Sequence, residues 1–178
     1  MKPALAITAG LAALSASPVV ASDRSEALVG AFQRWCLSAA PSYDGLEARA
    51  AAAGLTAEHS DSTNTPDEGL VKTKLWTVAN DPTGVYSLSD GFALNKGKAV
   101  TVCELAAQDE GGDDMLQTLS RADRLGAPVN TRNSEDGLQR LTEFKSAYPK
   151  SSILLADGTP QHAGGVILNI IEVREPGR

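Results

Sequence analysis

Cys36 and Cys103 are the only two cysteines in the chain, and they follow an N-terminal stretch with the marks of an export signal. In an oxidising compartment two thiols are most simply a disulfide, and a bond between these two closes a loop of 67 residues. The chain-entropy argument assigns such a cross-link about 4 kcal/mol, a large share of a typical domain stability of about 5–15 kcal/mol. A fold that contains the bond must carry both cysteines to one place. The alternative is two separate buried thiols. A catalytic cysteine has less support, because neither sits in a recognisable nucleophile context.

The export reading rests on residues 1–21. Lys2 is their single charge, an apolar run extends from Pro3 to Ala16, and Ser17, Pro18, Val19, Val20 and Ala21 close it. Ala21 with Val19 two residues before it suits a signal peptidase, and Pro18 breaks the apolar helix ahead of the cut. Residues 1–21 are therefore expected to be a signal peptide and 22–178 a single domain in the periplasm or outside the cell. A permanent anchor is the competing reading, but the run falls short of the roughly 20 residues a spanning helix needs. With no cysteine near the cut, a lipid-anchored start is also disfavoured.

The 178 residues suit one domain better than two. With 16 basic against 22 acidic residues, the net charge of -6 opposes phosphate backbones and anionic lipid. Only 4% of residues are aromatic, too few for the stacking platforms of single-strand readers.

Asp23 with Glu26 forms a capping box for a first helix, on which Leu28, Phe32, Trp35, Cys36 and Ala39 share one face. A second helix opens at Pro41 and Ser42, carries Tyr43, Leu46, Ala50 and Ala53 on one side and stops at Gly54. Residues 57–69 hold no large apolar side chain and read as a long polar loop, disordered or functional. Strands follow over 70–79, 85–94 and 99–106, joined by short turns into an antiparallel meander. Asp113 then caps a helix bearing Met115, Leu116, Leu119 and Leu125, and a further helix is expected from Ser134 or Glu135 to Ala147. Ile153, Leu154 and Leu155 precede a turn at Asp157 and Gly158. From Val166 to Val173 both strand faces are apolar, which predicts a central strand buried on both sides. The expected architecture is α+β: two leading helices and an antiparallel sheet of about five strands, with a helical insertion between strands three and four.

Recognisable catalytic chemistry is missing from this pattern. Gly91 to Lys98 approximates a phosphate loop, but five residues separate the glycines, Ala99 replaces the metal-binding hydroxyl and a strand follows. His59 and His162 stand in polar or glycine-rich surroundings, with no zinc-protease, nucleophile-elbow or paired-cysteine motif. Asp109, Glu110, Asp113 and Asp114 are the candidate binding residues. They could hold a hard cation, but their spacing does not follow a calcium loop, so a solvated loop with a helix cap is the better reading. No cofactor and no metal is expected.

The leader, Ala31-Phe32 with Cys36-Leu37, Ala51 to Leu55, Trp76 and the run Val102-Cys103-Glu104-Leu105-Ala106-Ala107 together resemble a family of uncharacterised small secreted proteins and lipoproteins of proteobacteria. The resemblance covers roughly residues 26–125 and departs in lacking a lipid-attachment cysteine. It implies no activity and no functional residue, and it supports pairing of Cys36 with Cys103. The expected function is that of a non-catalytic envelope protein, an inhibitor or interaction module, whose partner is an envelope protein of basic character. The alternatives are a small-ligand carrier and a hydrolase of unrecognised arrangement, the latter leaving a Cys103-His162 pair open.

Overall fold

A computed structural model describes residues 23–175, apart from 67–68, 109, 123–124, 126 and 159–164. The proposed signal peptide, His162 and Asp109 lie outside the described residues. Two helices lead, α1 (Asp23–Cys36) and α2 (Tyr43–Ala52), followed by β1 (His59–Thr65), β2 (Gly69–Val78), β3 (Tyr86–Asn95) and β4 (Lys98–Ala107). Then come α3 (Gly112–Arg121), β5 (Pro128–Asn133), β6 (Gln139–Lys145), β7 (Ser151–Gly158) and β8 (Val166–Arg174).

The strands form one eight-stranded sheet in the order β1-β2-β3-β4-β8-β7-β6-β5, with antiparallel neighbours throughout. Two four-stranded meanders thus meet where β4 pairs β8, and α3 bridges them in sequence. This corrects the expected five strands and helical insertion, and the physical reasons are local. The 57–69 stretch supplies β1, whose residues are all exposed. An edge strand without a buried face leaves no alternating apolar signal, and its polar side chains discourage edge-to-edge pairing. The expected helix over 134–147 is a hairpin. Gly137 adopts φ 71°, its amide donates to the Ser134 carbonyl at 2.9 Å, and the Asp136 carboxylate accepts the Leu138 amide at 3.0 Å, so Ser134 to Gly137 is a turn. In β6, Thr142 and Phe144 point to the core, a period of two that the 3 and 4 spacing of Leu138, Leu141, Phe144 and Tyr148 concealed.

The helices cover one face of the sheet. Leu28, Phe32 and Trp35 of α1, Leu46 and Ala50 of α2, and Met115 and Leu119 of α3 are buried in one cluster with Trp76, Leu88, Leu105, Phe144, Leu155, Leu168 and Ile170. Cys36 of α1 and Cys103 of β4 are joined by a disulfide with Cα atoms 5.6 Å apart, so the first helix is bonded to the middle of the sheet. A polar network locks the same helix to the β2–β3 turn. Trp35 Nε1 donates to Tyr86 Oη (3.0 Å), which donates to Asp81 Oδ2 (3.0 Å), and Arg34 reaches the same oxygen at 2.8 Å. Burial opposes ionisation of Asp81, but the donors Thr83 and Tyr86 and the charge of Arg34 outweigh it and hold the carboxyl below its ordinary range.

β8 is central as expected, but among the described residues helices cover it on one side only. Val166, Leu168 and Ile170 are buried under the helices, whereas Ile167, Asn169, Ile171 and Val173 are half-buried on the opposite face. No helix among the described residues is long and apolar enough to cross a membrane.

Candidate binding face

Strand alternation puts a second set of side chains on the sheet face away from the helices, and the register aligns them in rows. The middle row runs Ser89, Glu104, Asn169 and Leu154, through the pairs Ser89–Glu104, Glu104–Asn169 and Asn169–Leu154. On one side lie Gly91, Val102, Ile171 and Ser152; on the other lie Ser87, Ala106, Ile167 and Ala156. A polar row is therefore bordered by branched apolar residues, and no described helix rests on it.

Two groups in that row are poorly matched to their surroundings. Burial pushes the Glu104 carboxyl above its ordinary range, even though Ser89 Oγ donates to it at 3.2 Å. Asn169 Oδ1 is buried and accepts no hydrogen bond among the described residues. Leaving such an acceptor unmet costs about 1–3 kcal/mol, so a native site that keeps one calls for a water, an ion or a bound group to supply the donor.

The face deepens toward one end of the strands into a cavity of about 380 Å³, bordered by Ser87, Ala106, Ala156, Ile167, Leu138 and Gln139. Gly158 and Gly165, which flank the segment containing His162, also line it. Gly165 is required there by geometry: its φ is 99°, and a Cβ would run into the Ala107 carbonyl oxygen.

The acidic candidates behave differently. Glu110 accepts a hydrogen bond from Ser25 of α1 and lies 3.9 Å from Arg24 Nε. Asp113 pairs with Arg140 at 2.8 Å. Asp114 sits in the first turn of α3, where its carbonyl accepts the Thr118 hydroxyl at 2.9 Å. Instead of capping α3 as expected, Asp113 lies inside it, and Gly111 is the cap residue. Glu110 and Asp113 thus bind the domain's own elements together. His59 is exposed on edge strand β1, opposite Leu75. Among the described residues no group of three or more histidine, cysteine, aspartate or glutamate side chains is placed to hold a metal.

Elsewhere, a groove of about 720 Å³ between α1 and α3 carries Gln33, Arg34 and Arg121, with Arg34 already engaged by Asp81. On the helix side of the sheet, Asp90 of β3 is only 1% exposed, and neither carboxylate oxygen has a hydrogen-bond partner among the described residues. Asp90 was absent from the sequence candidates. Its signal was present: Tyr86, Leu88, Asp90 and Phe92 alternate on one strand face, which puts a carboxylate in an apolar phase.

No protein-family model, curated protein or solved structure matches the chain.

Proposed function

We propose that this protein is exported and acts in the cell envelope as a non-catalytic binding module, with its partner docking on the sheet face centred on Glu104 and Asn169. The observation that carries the reading is a face on which no described helix rests, where Val102, Ile167 and Ile171 border a desolvated carboxylate and a buried amide oxygen without a donor among the described residues. Its apolar part offers burial at roughly 25 cal/mol per Å². Its polar row selects for N–H or ammonium donors, because Glu104 accepts and Asn169 Oδ1 lacks a donor. A protein surface with an apolar ridge and a basic side chain fits both, and the net charge of -6 steers such a surface inward. The leader pattern and the Cys36–Cys103 bond support an oxidising envelope compartment. The adjoining 380 Å³ cavity favours a second reading, carriage of a small apolar ligand with one hydrogen-bonding group.

The test is retention of a partner from an envelope extract on immobilised protein, comparing the natural sequence with Ile171→Asp and Glu104→Gln. Ile171 lies outside the helix-covered core, so Ile171→Asp is expected to stay folded and to reduce recovery at least tenfold. Glu104→Gln is expected to weaken the salt dependence of recovery. Equal recovery by all three proteins would reject the docking face. Recovery of a small molecule in place of a protein would favour the carrier reading.

A further inference from the structure

We propose that Asp90 and α2 form a proton-operated latch: while Asp90 holds its proton α2 lies closed on the sheet, and when the proton leaves α2 lifts and admits water to the carboxylate. The latch is independent of the outer face. It stands on a buried acid with no donor among the described residues, roofed by a short helix that buries only two side chains.

Asp90 lies directly between Lys74 of β2 and Cys103 of β4 in the sheet register. Above it, α2 contributes two buried residues, Leu46 and Ala50, whereas α1 contributes seven. The other ties of α2 to the sheet are polar or peripheral. Lys74 Nζ donates to Glu47, Lys72 and Lys74 sit over the Tyr43 ring, and that ring stands 6.1 Å from Phe92. Lifting such a helix uncovers two core side chains, Leu46 and Ala50, so a local opening of α2 is enough to hydrate the acid.

The charges facing Asp90 are Arg49, Asp44 and Glu47 from α2, with the Tyr43 hydroxyl beside them, and Lys74 from β2. Cys103 of β4 is oxidised and does not titrate. Burial is the strongest influence; Arg49 and Lys74 favour ionisation, and Asp44 and Glu47 oppose it. The balance pushes the Asp90 carboxyl up to about 8. Arg49 does not neutralise the acid by a direct bond, since neither Asp90 oxygen has a hydrogen-bond partner among the described residues, and Arg49 Nε is itself buried with no acceptor among them. The sign follows from linkage. Below about pH 4 Asp90 is protonated in folded and unfolded chains alike and contributes no penalty. From there to about pH 8 only the unfolded chain ionises, so stability falls as pH rises, and above 8 the full penalty is present.

The test combines a carbon-13 carboxyl titration of Asp90 with hydrogen exchange at the Ala50 and Ala53 amides between pH 6 and 9, in the natural protein and in Asp90→Asn at matched pH. Titration near pH 8 is expected, together with a loss of protection at both amides of at least tenfold relative to Asp90→Asn between pH 7 and 9. Arg49→Met removes the strongest favourable charge, so it should move both the titration and the release of α2 to higher pH. It also serves as the test if Asp90→Asn fails to fold. A midpoint near 4, or α2 protection that does not follow the Asp90 titration in the natural protein or in Arg49→Met, would overturn the latch.

Discussion

Replacing Arg140 by Met should destabilise the domain by about 3–5 kcal/mol, read from urea unfolding. Asp157 of β7 is 2% exposed, and Arg140 grips it through both Nε, at 3.1 Å, and Nη2. The same Nη2 reaches Asp113 in the first turn of α3 at 2.8 Å, so one guanidinium joins β6, β7 and α3. The carboxylates hold the Arg140 proton more firmly than usual, chiefly through the Asp157 hydrogen bonds. Without Arg140, a carboxylate in a dry site keeps no counter-charge. The double variant Arg140→Met/Asp157→Asn should regain part of the loss, because the stranded charge is gone. The site has no slack: Gly112 at the start of α3 approaches Asp157 so closely that a Cβ there would overlap its carboxylate.

Removing the disulfide should have a comparable effect. A Cys36→Ala/Cys103→Ala variant reopens the 67-residue loop and should lose about 4 kcal/mol by the chain-entropy estimate. Both cysteines are buried, at 1% and 3% exposure, so gentle reductant should not open the bond in the folded protein. Thiol counting under native conditions should give zero, and counting after unfolding in reductant should give two. Free thiols in unreduced, unfolded protein would contradict the bond.

How far the fold was legible depended on whether an element had a buried face. β2, β3 and β4 follow the expected 70–79, 85–94 and 99–106 within a residue or so, because turn residues such as Pro82, Gly84 and Gly97 bound them, although in β2 it is Trp76 and Val78 that are buried while Leu75 is exposed. α1 announced itself by its apolar stripe, and its Cys36 pairs with Cys103 as expected. β1 and β5 are exposed along their whole lengths, so they carried only composition, and that of β1 resembles a loop. β6 has a single large core residue, Phe144, too little to set its period against the helical spacing around it. The candidate face was legible in part. Apolar residues on both sides of the last strand predict burial, but an apolar face turned outward is equally compatible with that pattern. Glu104 and Asn169 become neighbours only through the β4–β8 pairing, a contact between segments about 65 residues apart in sequence.

The most direct measurement of the binding account is photocrosslinking from the face itself, with a benzophenone side chain at position 171 and a control at position 51 on the exposed side of α2. The protein is irradiated in the intact envelope and adducts are resolved by mass. The account predicts a discrete adduct with another polypeptide from position 171, lost on Glu104→Arg, and none from position 51. Equal labelling from both positions, or no adduct from 171 while a probe at Gln33 in the α1–α3 groove captures one, would contradict it.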